Sequence, residues 1–507
     1  SGALPEGQAP AWPLLLLLGW GLGAYAGTPP CSGRLSYPPY PAVFSNPRMS
    51  NTRRQFLRHA VRLGLTSTLF GSLGALAGCE APSRRARTPG QRLLPVADAT
   101  TGLPLLRLPP GFRYFSFAWR GDALPGGGVI PSNADGMGVV GVSGDVVTLI
   151  RNHEIVDADG AFAPGGEAYD ADCGGGCISL RVDLAGERLI AAAPALTGTL
   201  VNCAGGVTPW GTWISCEEIV VGHDQIRPKS FGVRDRRLRR PHGLAFEVSA
   251  DGPPAARPIA DMGLFRHEAV AFDASSGQAY LTEDRDESAG FYRYTPRARG
   301  DLAAGGRLEM LIAEGASDLR RGLRVGQQWS VRWAPIDEPG RGHSPGTHDQ
   351  GGVLHQGLAG GGSRFLRLEG CISRSDGIWF TSTSGGDAGG GQIWRFDPRN
   401  AVLQLMYEVG DRDEMDYPDN IAEGPGAGMV ICEDSTIRKR QKLVWLGRDG
   451  RLLTLAENNS RIDSVDYASA EWAGCCVSPD GRWLFANVFR PGFTVAITGP
   501  WDDLLKT

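Results

Sequence analysis

Residues 202–218 read Asn-Cys-Ala-Gly-Gly-Val-Thr-Pro-Trp-Gly-Thr-Trp-Ile-Ser-Cys-Glu-Glu, which puts a thiol, a glycine turn, two indoles and a carboxylate pair in one short stretch. A thiolate beside carboxylates is a donor set for a transition metal, whereas carboxylates alone suit hard ions such as Ca²⁺. Adjacent strand residues point to opposite faces, so of Glu217 and Glu218 one is expected as a ligand and the other as its support. Taken alone, the stretch also reads as an ordinary hairpin with a solvated acidic end and a buried cysteine. The rest of the chain decides against that.

The element that positions these groups recurs. Gly211 leads through Thr-Trp-Ile-Ser-Cys to Glu217, Gly277 to Glu283, Gly377 to Thr383, Gly428 to Asp434 and Gly481 to Asn487, with a looser copy from Gly144 to Asn152, His153 and Glu154. Each is a glycine turn opening an apolar strand that closes on a polar residue. The irregular spacing suits four-stranded propeller blades with loop insertions, and six copies predict a six-bladed, all-β propeller. If these strands are innermost, their ends converge on one rim of the central channel. That would gather Asn152, Glu154, Glu217 or Glu218, Glu283, Asp284, Glu433, Asp434 and Asn487. So many ionised carboxylates repel one another, and a metal cluster in the channel is the expected compensation.

Composition agrees. The 507 residues are 42% hydrophobic and 21% charged, enough for a large core, and 72 glycines and 35 prolines spread among apolar runs favour a turn-rich β domain. A net charge of -4 supplies no basic field, which excludes nucleic acid as a partner.

Residues 1–48, with an apolar run over 12–26, read as upstream sequence ahead of an initiating Met49. Thr52-Arg53-Arg54-Gln55-Phe56-Leu57 is a twin-arginine motif, and the modestly apolar segment after it ends in Leu76-Ala77-Gly78-Cys79, which resembles a lipobox. Residues 49–79 are therefore expected to engage the twin-arginine export machinery. Lipidation at Cys79 would anchor the mature protein in the periplasm or at the cell surface. Residues 80–102 read as a flexible tether and 103–507 as the propeller domain, expected to be a monomer.

Several separate blocks are similar to the PhoX-type alkaline phosphatases. They are Arg151-Asn152-His153-Glu154, the stretch around Cys203, Arg266-His267-Glu268-Ala269, Tyr280-Leu281-Thr282-Glu283-Asp284, Arg367-Leu368-Glu369-Gly370, and Pro418-Asp419-Asn420 with Cys432-Glu433-Asp434. The resemblance implies a six-bladed propeller whose channel holds Fe³⁺ and Ca²⁺ and hydrolyses phosphomonoesters. It implies Cys203 as the thiolate on iron, with Glu218, Glu268 and Glu369 as cluster ligands. Glu154, Glu283, Asp284 and Asp434 follow as calcium ligands, Arg367 as a phosphate-binding guanidinium and Asn152 as a phosphate-contacting amide. Such a cluster supplies both positive charge and an activated oxygen nucleophile, so no protein nucleophile is required. Two other classes stay open: a calcium-only propeller hydrolase of lactonase or phytase type, which has no need of Cys203, and a non-catalytic surface propeller.

His153 and His267 sit beside presumed ligands but read as structural, because strand neighbours alternate in direction. His343, His348 and His355 fall in a glycine-rich insertion over 341–362 that reads as a solvated loop or a lid. Cys173 and Cys177 flank three glycines and are expected to pair in an oxidising compartment.

Overall fold

The computed structural model describes residues 92–506, apart from 157–159, 164–166, 222–237, 346 and 348. Met49, the twin-arginine motif, the lipobox with Cys79 and His348 lie outside the described residues.

The described residues are almost wholly β, in antiparallel sheets arranged as in a propeller. One sheet runs outward through Ala134–Ser143, Val146–His153, Gly175–Asp183 and Arg188–Thr199, and a shorter one through Asn202–Val207, Trp213–Glu217 and Ala245–Val248. A nine-stranded sheet leaves the centre at His267–Asp273, turns at Gln328–Pro335 and returns to the centre at Leu368–Arg374. The next begins at Pro418–Glu423, and the last joins Trp472–Val477, Leu484–Val488 and Phe493–Thr498 to Arg113–Phe117. Pairing Ser116 with Val495 in that sheet ties the early chain to its end.

Six strands line the axis: Ala134–Ser143, Asn202–Val207, His267–Asp273, Leu368–Arg374, Pro418–Glu423 and Trp472–Val477. Each packs beside the next, and the last packs against the first. These are the strands before the glycine turns. The recurring unit of the sequence is therefore the second strand outward, not the innermost one. Its glycine is the hairpin turn between the two, with φ of 60° at Gly144, 84° at Gly211, 77° at Gly277 and 72° at Gly481, a region that strongly favours glycine.

All six inner strands share an irregularity near the start. Pairing with the second strand breaks between Ala134 and Met137, Asn202 and Gly205, His267 and Val270, Leu368 and Cys371, Pro418 and Ile421, and Ala473 and Cys476. A bulge re-aims a side chain and leaves its backbone unpaired. In four of the six the exposed carbonyls are taken by second-strand side chains of the neighbouring sheet or half-sheet. Asn152 Nδ2 donates to the carbonyls of Cys203 (3.0 Å) and Ala204 (2.7 Å), Thr282 Oγ1 to Glu369 (2.6 Å), Thr381 Oγ1 to Asp419 (3.0 Å) and Asn487 Nδ2 to Asp135. The bulges crowd the axis: a Cβ on Gly136 would lie 2.5 Å from the Ala204 backbone, and one on Gly474 2.3 Å from the Asp135 carbonyl.

Two expectations change. Leu94–Val96 pairs with Leu106–Leu108, and Asp98 is buried under the Ser116 amide at 2.7 Å, so folded structure reaches back past Leu103. Cys173 and Cys177 are both free thiols: Cys177 Sγ donates to Asn152 Oδ1 at 3.0 Å, while Cys173 faces His242. The insertion over 341–362 contains a helix, Gly352–Ala359, packed on the nine-stranded sheet, and with the strand Gln328–Pro335 it accounts for the long gap between Gly277 and Gly377.

Asn152 is fully buried, and its Oδ1 also accepts from Trp213 Nε1 and Ser215 Oγ. Each buried partner left unsatisfied costs about 1–3 kcal/mol. Asn152→Ala is expected to lower the free energy of unfolding by about 3 kcal/mol, read as a shift of the urea midpoint.

Candidate metal centre

The bulges aim one residue from each of five inner strands at the axis: Asp135, Cys203, Glu268, Glu369 and Asp419. All five follow the same entry. The amide of a residue just beyond a second strand donates to the carbonyl of the residue two before the bulged one: Glu154 to Asn133, Glu218 to Val201, Asp284 to Arg266, Thr383 to Arg367 and Asp434 to Tyr417. A sixth pair, Phe489 to Glu471, completes the ring. Asn133, Val201, Arg367 and Tyr417 take this corner at φ of 41–53°, a left-handed conformation that non-glycine residues hold only under constraint.

Three groups of ligand atoms result, each within 4.8 Å mutually: Cys203, Glu218 and Glu268; Glu268, Glu369 and Asp419; and Asp135, Glu154 and Glu471. Glu268 belongs to two of them. The first is a thiol with two carboxylates, a set that suits a transition ion; the other two are all-oxygen and suit hard cations. Glu268 would offer a carboxylate oxygen to a cation in either group.

Arginines stand among the acids. Arg367 Nη2 donates to Glu369 at 2.6 Å and its Nε to Asp284 at 3.2 Å, with Asp434 4.0 Å from Nη1. Arg266 pairs with Glu218. They do not balance the acids. Burial first, then neighbouring Glu369 and Glu218, drives Glu268 well above the carboxylate range, and burial with Asp284 does the same to Glu369. Asp419 is pushed up to about 8 by burial and Asp434, and Glu154 to about 7 by burial. Burial, Glu268 and Glu218 raise the Cys203 thiol likewise. Like charges 4 Å apart repel by about 4 kcal/mol at an effective dielectric near 20. Bare, this ring keeps protons; cations would keep it ionised. The donor set fits a multi-metal group.

Sequence reasoning placed Glu154, Glu218, Glu268, Glu369 and Cys203 where the structure gathers ligand atoms, with Asp284 and Asp434 beside them on Arg367. Three others turn elsewhere. Glu217 accepts from the amides of Leu200, Gly243 and Leu244 and contacts His242 Nδ1, so both its oxygens are spent on the far side of the strand. Glu283 accepts from Gly290 N and Tyr292 Oη inside its sheet. Asn152 clamps the Cys203 bulge. All three end second strands and face away from the axis, as Asn487 and Glu433 also do. His153 and His267 bond the carbonyls of Ser132 and Gly263.

Asp135, Asp419 and Glu471 were missed as ligands. For Asp135 a signal existed: Asp135-Gly136, Cys203-Ala204, Glu268-Ala269 and Glu369-Gly370 each set a ligand type before a small residue, eight or nine positions ahead of the glycine turn, whereas Asp419-Asn420 shares only the spacing and Glu471-Trp472 has no such signature.

The sequence pattern of alkaline phosphatase PhoX matches residues 92–183 and 182–492. The chain belongs to the PhoX alkaline phosphatase family. No curated protein matches it. Among solved structures it is similar to a gluconolactonase from Xanthomonas campestris at 12% identity, covering 76% of this chain and all of that one, with a TM-score of 0.35. It is also similar to a PQQ-bound aldose sugar dehydrogenase from Streptomyces coelicolor at 14% identity, over 71% and 86% of the two chains, with a TM-score of 0.33. Likeness at this level carries no functional argument.

Within this PhoX-family chain the raised carboxylates set the pH response. A carboxyl whose folded pKa lies above its unfolded one stabilises the fold below the unfolded value, and that contribution is lost as pH rises through the folded value. For Asp419 and Glu154 the window runs from about 4 to about 8. Metal-stripped protein is expected to lose Tm steadily from pH 4 to pH 8, and metal-replete protein to be flat there, as followed by calorimetry.

Proposed function

We propose that this protein hydrolyses phosphate monoesters at the channel mouth, using iron held by Cys203, Glu218 and Glu268 and calcium held by the two all-oxygen groups. The observation that carries the proposal is the convergence of three ligand groups, one with a thiol, beside Arg367 in a chain of the PhoX family. We also propose that the nine-stranded sheet counts as two blades, which brings the propeller to six.

Cations bound there would supply the positive charge and activated oxygen that phosphoryl transfer needs. The chain's own residues do the rest. Arg367 presents a planar fork at the mouth, its side chain 20% exposed, and its donors now rest on Asp284 and Glu369. Burial opposes its charge, but Glu369 and Asp284 more than offset this and keep it a cation. A phosphate group competing for those donors would be held bidentate and oriented. Arg266 steadies Glu218 in the same way. Asn152 acts on Cys203 through its carbonyl, which is a positioning role. The calcium-only reading leaves a channel-facing Cys203 without a use.

Export by the twin-arginine pathway and lipidation at Cys79 belong to the proposal. They are supported by Arg53-Arg54 and Leu76-Ala77-Gly78-Cys79, and by the value of folding and loading a metal before export.

Cys203→Ser is expected to remove iron and phosphomonoester turnover together, by about 100-fold or more, since even outer partners of ligands are worth 10–100-fold. Unchanged turnover in iron-free protein would sink the assignment. Arg367→Lys keeps a charge but loses the fork; it should lower kcat/KM by about 10-fold or more, the value of charged hydrogen bonds, with iron and calcium content unchanged by elemental analysis.

A further inference from the structure

The far side of the strand that carries Glu217 holds a second ligand cluster. Asp170, Cys173 and His242 are essentially fully buried, and none belongs to the channel groups. Cys173 Sγ lies 3.5 Å from His242 Nε2, and Asp170 Oδ2 lies 3.8 Å from the same nitrogen. Zinc bonds of about 2.3 Å to sulfur and 2.0–2.1 Å to nitrogen at a tetrahedral angle put those two atoms about 3.5 Å apart.

The surroundings are those of a ligand set. Nδ1 of His242 is 2.7 Å from Glu217 Oε1, and that carboxylate is itself fixed by three backbone amides. Metal-bound imidazoles almost always donate their other nitrogen to such a carboxylate or carbonyl. The amides of Asp172, Arg239 and Arg240 orient Asp170. Tyr169 lies edge-on to the His242 ring at 5.4 Å, and Leu200, Val201, Ile219 and Val221 pack around Cys173. A divalent ion would offset the Cys173 thiolate and the Asp170 carboxylate, and the remaining charge, on Glu217, is met by the amides of Leu200, Gly243 and Leu244.

We propose that Asp170, Cys173 and His242 bind a divalent transition ion of the zinc class in a structural role, with Glu217 orienting His242. The ion would join the loop before Gly175–Asp183 to the chain entering Ala245–Val248, segments that also meet through Tyr169, Asp170 and Asp172. The alternative is a metal-free network in which a protonated His242 bridges Glu217 and Asp170.

Co²⁺ is the probe, because a cysteine thiolate gives it a charge-transfer band. In Cys203→Ser protein, where the channel thiol is gone, a thiolate–cobalt band is expected, and it should vanish when Cys173→Ser is added. A folded Cys203→Ser protein with no such band overturns the proposal. If that variant does not fold, the wild-type chain replete in iron and calcium is titrated with Zn²⁺: a rise in Tm abolished by His242→Gln supports the site. A Tm unmoved by Zn²⁺ overturns it.

Discussion

One backbone irregularity, repeated around the axis, underlies everything else in this molecule. At the start of each inner strand the ladder breaks, and in four of the six the unpaired carbonyl is bound by a side chain from a neighbouring second strand. Asn152, Thr282, Thr381 and Asn487 are four versions of that clamp. In an ordinary ladder the carbonyls of Cys203 or Glu369 would be spent on the adjacent strand and the side chains would follow the pleat. Releasing the carbonyls costs free energy unless another donor meets them in a buried place. The polar ends of the second strands meet that requirement, and the ligand side chains are thereby turned to the axis.

The same geometry creates an electrostatic problem. Nine acids, namely Asp135, Glu154, Glu218, Glu268, Asp284, Glu369, Asp419, Asp434 and Glu471, share one mouth with Cys203 and a few arginines. A core built only for stability would not contain this. Places where a sequence breaks the rules of burial are where function is to be sought. Arg367 illustrates the compromise: its fork is held by carboxylates that cations would claim, so its donors and the acids are matched in advance. Its left-handed backbone, at a φ of 41°, is held by the Thr383 amide on its carbonyl and by its own amide on the Arg285 carbonyl.

Glu217 and Glu218 show how closely two jobs can be packed. They are consecutive, yet one serves the channel and the other His242, because strand alternation sends them to opposite faces. The pair resembles a doubled ligand only in one dimension.

Much of this was legible in the chain. Glycine turns followed by apolar strands marked repeated hairpins, and the ordered blocks around Cys203, Glu268 and Glu369 carried the family and most of its acidic ligands, because strand ends and turns have local signatures. Which strand of each sheet is innermost was not legible, since the hairpin turn looks the same from either side; Asn152, Glu217 and Glu283 were therefore aimed at a channel they face away from. Asp135 and Asp419 reach the axis through bulges clamped from neighbouring sheets, and Glu471 from the corner two residues before such a bulge. The meeting of Asp170 and Cys173 with His242, some seventy residues away, likewise has no local signal. The sequence by itself determined the elements, the charge they carry and the kind of chemistry it permits. Only the tertiary structure decided which acids share an axis, because convergence depends on the closing of the ring and not on any one strand.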